Sequence, residues 1–521
     1  MSKLNVKNTL NPTSPSASAP HGMALSHNGN LQSIKSPEQI LFETLVSTLY
    51  GNDSYYESSN DKVNRMKVAL DKVVTTHGLK GARFALNCAR FAREEMFIRT
   101  MPIVMVVELA KVLRDRNLQL DGFKDAIAYI IQRADELTDL YAYSLTVFGS
   151  KTKIPLAIKK GVAEAFNKFD AYQLGKYNRS EGLKFKDLLR IVHPKPADIA
   201  HAEIFNKIMA ETLEAPYTWE VELSKNGQLP AAEQKSKKDL WTELINRVGS
   251  GSLGYMALIR NLRNMKEADI SDETWVKVAD RIADPISVSK SKQLPFGFIN
   301  AHDIAVMSGC PKIVIAALNQ AAELSLKNMP ELGKRVWIIL DCSGSMNNFG
   351  YTWQRSQVPG DRVAPHNSPI KIGAIFGAAL VKASSKSFDA KFTMFDDFAK
   401  HVDLNPTDSI FTLYARIMER NAGGGTNLQA ALNQKSQLGF EPDTVIILSD
   451  MEVNRLQSSN VSKLFSPDCV KVAVNLDSGN TTPISENAGW TQLSGWSERI
   501  FQFVRFTRVG DSIVQKLFDA S

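Results

Sequence analysis

The stretch DCSGSM, residues 341–346, follows the apolar run RVWIIL and sets one aspartate and two serines at the spacing D-x-S-x-S. Three oxygen donors on one tight turn, behind what reads as a buried strand, suit a hard metal ion. Two further loops carry matching donors. GGGTN puts Thr426 after a triple glycine at a predicted helix start, and ILSD puts Asp450 at the end of another apolar strand. Asp341, Ser343, Ser345, Thr426 and Asp450 offer oxygen and neither sulfur nor imidazole. That set predicts a divalent cation, Mg²⁺ first, with Mn²⁺ or Ca²⁺ as alternatives, and argues against zinc. Two carboxylates only balance a divalent ion, and hydroxyls are weak donors. An open coordination position would therefore stay electrophilic and attract an acidic group from a partner. Each residue also has an ordinary structural role, as a helix N-cap or a strand-end turn. The three loops together, in this order, point to metal.

These loops need strands to hold them. After about residue 333, RVWIILD, AKFTMFDD, DTVIILSD and CVKVAVNLD read as short β-rich runs, with helical stretches such as IKIGAIFGAALVKASSK and SIFTLYARIMER between them. Such alternation predicts an α/β doubly wound, mostly parallel sheet, with ligands at the carboxyl ends of its strands. From 36 to 332 the apolar spacing is helical, as in GARFALNCARFAREEMF, MPIVMVVELAKVLRDRN and DLWTELINRVGSG. Many short helices without strand alternation predict an all-α array whose members bury their faces against one another. Residues 1–35 are rich in Ser, Asn and Pro, with three lysines and no acid, and predict a disordered tail. The expected organisation is thus 1–35, 36–332 and 333–521.

A second chemistry lies in residues 151–195, which hold eleven Lys or Arg against four Asp or Glu. The excess, 11 − 4 = +7, equals the net charge of the whole chain. Ile154, Ile158, Val162 and Phe166 form one helical stripe, which leaves Lys159 and Lys160 facing outward where phosphates could be met. A solvated basic surface has the same appearance. His193, in RIVHPKP beside Lys195, stands at a predicted helix end.

Composition excludes several classes. The 521 residues are too many for one ordinary core. Four scattered cysteines, Cys88, Cys310, Cys342 and Cys469, form no C-x-x-C pair and predict reduced thiols in the cytoplasm. The N-terminus has no apolar signal core, and PIVMVVELA is too short to span a bilayer, so no membrane role is expected. There is no G-x-S-x-G elbow, no P-loop lysine after GGGT and no H-E-x-x-H. A haloacid-dehalogenase-type phosphatase needs a second aspartate where Ser343 stands. A metal-dependent phosphatase or nuclease would need Glu452, Asp396 or Asp397 as base. The expectation is a protein that is not an enzyme.

The order D-x-S-x-S, T, D resembles the metal-ion-dependent adhesion site of von Willebrand factor A domains, which implies a six-stranded sheet with a divalent ion at its top. Two features depart from that pattern: the polar insert at 347–369 and the extra carboxylate of Glu452. KFKDLLRIVHPKP (184–196), ALIRNLRNM (257–265) and SYY (54–56) resemble stretches of the Ro autoantigen family, whose members join a helical TROVE module to such an A domain. The resemblance spans about 36–521 in the right order. It implies a HEAT-like helical-repeat ring closed by the A domain and acting as a monomer. It implies small noncoding Y RNAs on the outer basic surface, ends of misfolded RNA in the central hole, and an exoribonuclease as a further partner. The family's RNA-contacting histidine falls on His193 and a neighbouring lysine on Lys176. Charge and proximity add Arg179, Lys184 and Lys186, with Lys159 and Lys160 behind them. The rival expectation is an adhesion or assembly module that recruits a protein carboxylate and has no RNA role.

Overall fold

In a computed structural model, the structure describes residues 22–26, 30–46, 59–178, 182–249, 252–329, 332–347, 368–387, 389–420, 423–454, 456, 461–476, 480–484, 488–494 and 513–521. Helices dominate from Pro37 to Ser325. The first, α1 (Pro37–Val46), packs on α2 (Ser59–Glu94), which breaks at Gly78, where φ is 56°. Glycine adopts that left-handed backbone without a Cβ penalty. Thereafter each helix packs mainly on near neighbours: Thr100–Asp115 on α2, Leu156–Phe166 on Phe123–Ile130, and both Asp272–Ala283 and Pro295–Met307 on Lys312–Ser325. This nearest-neighbour burial is the array expected from the apolar periodicity. Phe42, Phe84, Phe166, Phe185, Phe296 and Phe298 are fully buried within it.

The strands are β1 (Met23–Leu25), β2 (Leu31–Ile34), β3 (Arg335–Asp341), β4 (Asp389–Phe395), β5 (Ala399–Val402), β6 (Thr444–Ser449), β7 (Val470–Asn475), β8 (Thr481–Thr482) and β9 (Thr491–Ser494). Six of them form one sheet in the order β5-β4-β3-β6-β7-β9. Among the described strands of this sheet only β5 runs antiparallel to its neighbour. Parallel sheets are covered on both faces, hence the continuous apolar strands. The helix Pro369–Ser387 lies close on one face. A Cβ on its Gly373 would stand 2.2 Å from Leu340 Cδ1, and one on Gly377 would stand 2.1 Å from Phe392 Cε2.

Both ends of the helical array rest on this sheet domain. At one end α1 packs on β9. The C-terminal helix Ile513–Asp519 reaches back to α1 and α2, where Phe518 meets Phe84 edge-on with ring centroids 5.4 Å apart. At the other end Phe296 meets Phe376 at 4.5 Å, and Glu323 Oε1 accepts from Ile410 N at 2.8 Å. The result is an all-α helical array closed by an α/β, von Willebrand factor A-like domain.

The tail expectation for 1–35 needs correction where the structure describes it. β1 and β2 form an antiparallel hairpin, and β2 pairs with β8 through Ser33↔Thr482 and Ile34↔Thr481. Lys35 is buried and paired with Glu43 at 2.8 Å. Low apolar content did not prevent order, because the segment borrows a partner strand from the other end of the chain. The available sequence signal was Asn28-Gly29 between two short apolar runs, a hairpin dipeptide. Residues 1–21, and 348–367 of the polar insert, lie outside the described residues.

Candidate metal centre and nucleic-acid interface

β3 and β6 are parallel and in register, Leu340 beside Leu448, so Asp341 and Asp450 emerge at the same sheet edge. β4 ends there too, with Asp341 beside Phe395. The loops are stitched by backbone. Gly344 N donates to Gly424 O at 3.1 Å, Gly423 N to Cys342 O at 3.1 Å, and Asn454 N to Thr426 O at 2.8 Å. These bonds bring the Asp341–Ser345, Thr426 and Asp450 segments into one cluster. Asp341, Ser343, Thr426 and Asp450 are all buried, and Ser345 is half-buried.

The Asp341 carboxylate is fixed from two sides. Oδ1 accepts from Ser343 N at 2.8 Å, and Oδ2 accepts from Ser449 Oγ at 2.6 Å. Burial pushes this carboxyl up to about 6, against the hydrogen bonds from Ser449 and Ser343, and the nearby Asp396 charge adds to the rise. The Ser343 and Ser345 hydroxyls stand 3.3 Å apart. Adjacent octahedral ligands at the ~2.1 Å of Mg²⁺, or at the ~2.4 Å of Ca²⁺, are roughly 3.0–3.4 Å apart, so the pair suits one cation. Among the described residues no group of three His, Cys, Asp or Glu gathers to hold a metal, so hydroxyls would have to complete the donor set. The arrangement fits a hard, oxygen-loving ion.

Sequence reasoning missed the supports of this cluster. Ser449 orients Asp341 and also accepts from Met451 N at 2.9 Å. Asp397 accepts from Gly425 N at 3.0 Å, and Asp396 Oδ1 accepts from Phe398 N at 2.9 Å. Both carboxylates brace loops. Glu452 is buried, with its N–H on Asp450 Oδ1 at 3.2 Å. A serine closing an apolar strand carries no signal of its own.

In the basic segment, the stripe Ile154, Ile158, Val162 and Phe166 is buried as expected. Lys160 is exposed and Lys159 half-buried on the other side of the helix Leu156–Phe166. Asp170 caps the next helix, Ala171–Tyr177, by accepting from Gln173 N at 2.7 Å. That helix ends with Lys176, whose Nζ lies 5.5 Å from the Tyr177 ring centroid. The helix Phe185–Val192 stops at His193, exposed and left-handed at φ 48°. Asn167 then pins the following turn, donating to Lys195 O at 3.0 Å and accepting from Ala197 N at 2.9 Å. Among the described residues Lys159, Lys160, Lys176 and Lys195 enter no ion pair. Lys184 and Lys186 differ: they share Glu211, at 3.7 and 2.9 Å, and Lys186 above all holds that carboxyl below its ordinary range. Lys168 is spent on the carbonyls of Ala128, Tyr129 and Ile131. Arg179 lies outside the described residues, as does SYY at 54–56.

Comparison with known proteins places this architecture. A TROVE domain model matches residues 209–312. The crystal structure of the Deinococcus radiodurans Ro (RSR) protein superposes with a TM-score of 0.60 over 91% of this chain and 100% of that one, at 16% identity. The chain thus carries a TROVE-like segment within a fold similar to that of this Ro protein. Its Ro-like fold covers nearly the whole chain, whereas its curated relatives share a short stretch. Telomerase protein component 1 of Mus musculus is 41% identical over 91 residues, and that of Rattus norvegicus is 40% identical over 91. Those 91 residues are 18% of this chain and 3% of either relative. In this Ro-like chain the matched TROVE residues begin after the basic segment, so Lys176 and His193 stand outside the match.

Proposed function

We propose that this protein is a non-catalytic RNA-binding ring that holds a small structured, Y-like RNA on the basic face of its helical array. The observation that carries this reading is the set of exposed or half-exposed cations, Lys159, Lys160, Lys176 and Lys195, that enter no ion pair among the described residues, beside an exposed His193. Unneutralised lysines release counterions when they meet phosphates, and that supplies sequence-independent affinity. RNA duplexes are read by shape and backbone, which suits an exposed basic surface, while unstacked ends suit a ring's interior. The ends of misfolded RNA in the hole, and an exoribonuclease scaffolded nearby, belong to the same proposal. Lys184 and Lys186 contribute only if phosphate displaces Glu211. All four cysteines are buried thiols outside any disulfide, which supports a reducing, cytoplasmic setting.

The cation cluster supports a second role within the same molecule: Mg²⁺ held by Ser343, Ser345 and Thr426, with Asp341 and Asp450 supplying the negative charge. Bound there, the ion would offer an electrophilic position to an acidic partner. The test of the RNA reading is gentle purification followed by sequencing of any nucleic acid that stays bound. A discrete small structured RNA is expected. Its absence, with a Mg²⁺-dependent protein partner retained instead, favours the adhesion reading.

A further inference from the structure

The hairpin of residues 23–34 touches the third metal loop at both ends. Gln32 is 3% exposed, and its Nε2 donates to Met451 O at 2.9 Å. Asn30 Nδ2 donates to Asn454 Oδ1 at 3.0 Å, and Asn454 N holds Thr426 O at 2.8 Å. Met451 follows Asp450 directly and sits in the left-handed region at φ 61°. A non-glycine residue persists there only when its surroundings hold it. Its N–H binds Ser449 Oγ, the hydroxyl that holds Asp341, and its carbonyl is held by Gln32.

The same short segment then fastens the helical array. Lys35 Nζ lies 2.8 Å from Glu43 Oε2 and 3.3 Å from Ser494 Oγ. Gln39 Nε2 donates to Glu43 Oε1 at 2.7 Å and to Gln492 O at 3.0 Å. Ser494 Oγ also donates to Glu43. Glu43 is on α1 and Gln492 and Ser494 are on β9, so this buried network is the seat of α1 on the sheet edge.

We infer that Gln32 and Asn30 are positioning residues of the cation cluster, and that residues 30–43 couple the cluster to the seat of α1. This rests on the cation reading of the cluster. Gln32 fixes the backbone between Asp450 and Glu452, and Asn30 fixes Asn454 beside Thr426. A partner outside the ligand shell orients the ligands themselves, and its loss commonly lowers metal affinity about 10–100-fold. Coupling is reciprocal: if the seat of α1 favours the cation, the cation protects the seat.

The test uses Mn²⁺ as probe on the full chain, with binding read by electron paramagnetic resonance and backbone opening read by hydrogen exchange. Wild type is expected to bind Mn²⁺, and the ion should slow exchange in α1 as well as in the loop 450–454. Gln32→Ala should weaken Mn²⁺ at least about tenfold. It should also abolish the Mn²⁺-dependent protection of α1. Asn30→Ala, at an exposed contact that endangers folding less, should weaken it by a smaller factor. Wild-type Mn²⁺ affinity in both variants, or Mn²⁺ binding with no protection of α1 in wild type, overturns the inference while leaving the cation reading intact. Failure of wild type to bind Mn²⁺ overturns both.

Discussion

At the carboxyl edge of the sheet the polar atoms are held in place: both oxygens of Asp341 accept hydrogen bonds, three loops are tied backbone to backbone, and four of the five candidate ligands are buried. Between residues 151 and 195 the reverse holds. The apolar stripe is buried, while among the described residues Lys159, Lys160, Lys176 and Lys195 have no acidic partner. On the proposed reading, the first region would recognise one small hard ion, because its geometry is set before the ion arrives. On the same reading, the second would recognise a polyanion, because its lysines are not neutralised by described neighbours and its side chains can adapt. One should respond to metal and proton concentration, the other to ionic strength.

That contrast can be broken at the seam. Glu43→Ala leaves Lys35 buried without its counter-charge and should cost about 3–5 kcal/mol of stability, read from urea unfolding. If the regions are independent in recognition, RNA affinity of the folded variant stays at the wild-type value while cation affinity falls. A smaller effect sharpens the metal side. Ser343→Ala should remove the stabilisation that saturating Mg²⁺ gives, about 2.7 kcal/mol at a hundredfold excess over Kd, seen as loss of the Mg²⁺-dependent shift in Tm. RNA binding at fixed ionic strength should not change.

The smallest effect concerns pH. In the folded protein the Asp341 carboxyl is raised from 3.8 to about 6, chiefly by burial. Between those values the folded state keeps a proton that the unfolded state has released. The contribution of Asp341 to metal-free stability is therefore full below 3.8 and is lost as pH rises through about 6. Excess Mg²⁺ should reverse the slope, since the cation favours the ionised form. Denaturant midpoints across that window, with and without Mg²⁺, check the sign.

The two regions were also unequally legible. D-x-S-x-S, T and D could be read from the sequence because each residue follows directly on an apolar strand or precedes a helix, so local pattern already fixes its place. The supports could not. Ser449 meets Asp341 across 108 residues, Gln32 meets Met451 across 419, and Ser494 meets Glu43 across 451. Such contacts exist only once the topology has formed. The hairpin was misread as tail for the same reason, since its third strand, β8, lies near the other end of the chain. In the basic segment the stripe of Ile158, Val162 and Phe166 was readable from period alone, but the pairing of Lys184 and Lys186 with Glu211 was not. Glu211 sits outside the basic run, at a left-handed position that turns it back toward those lysines.

The most direct test of RNA recognition by the basic face is the salt dependence of binding. Affinity for one small structured RNA should be measured from low to moderate salt for wild type and for Lys176→Ala with His193→Ala. The account predicts a steep loss of affinity with salt for wild type. The double variant should bind more weakly at every salt, with a log–log slope shallower by about 1 for the lost lysine, and remain fully folded. Equal affinities and equal slopes would contradict it, and the basic face would then be a solvated surface.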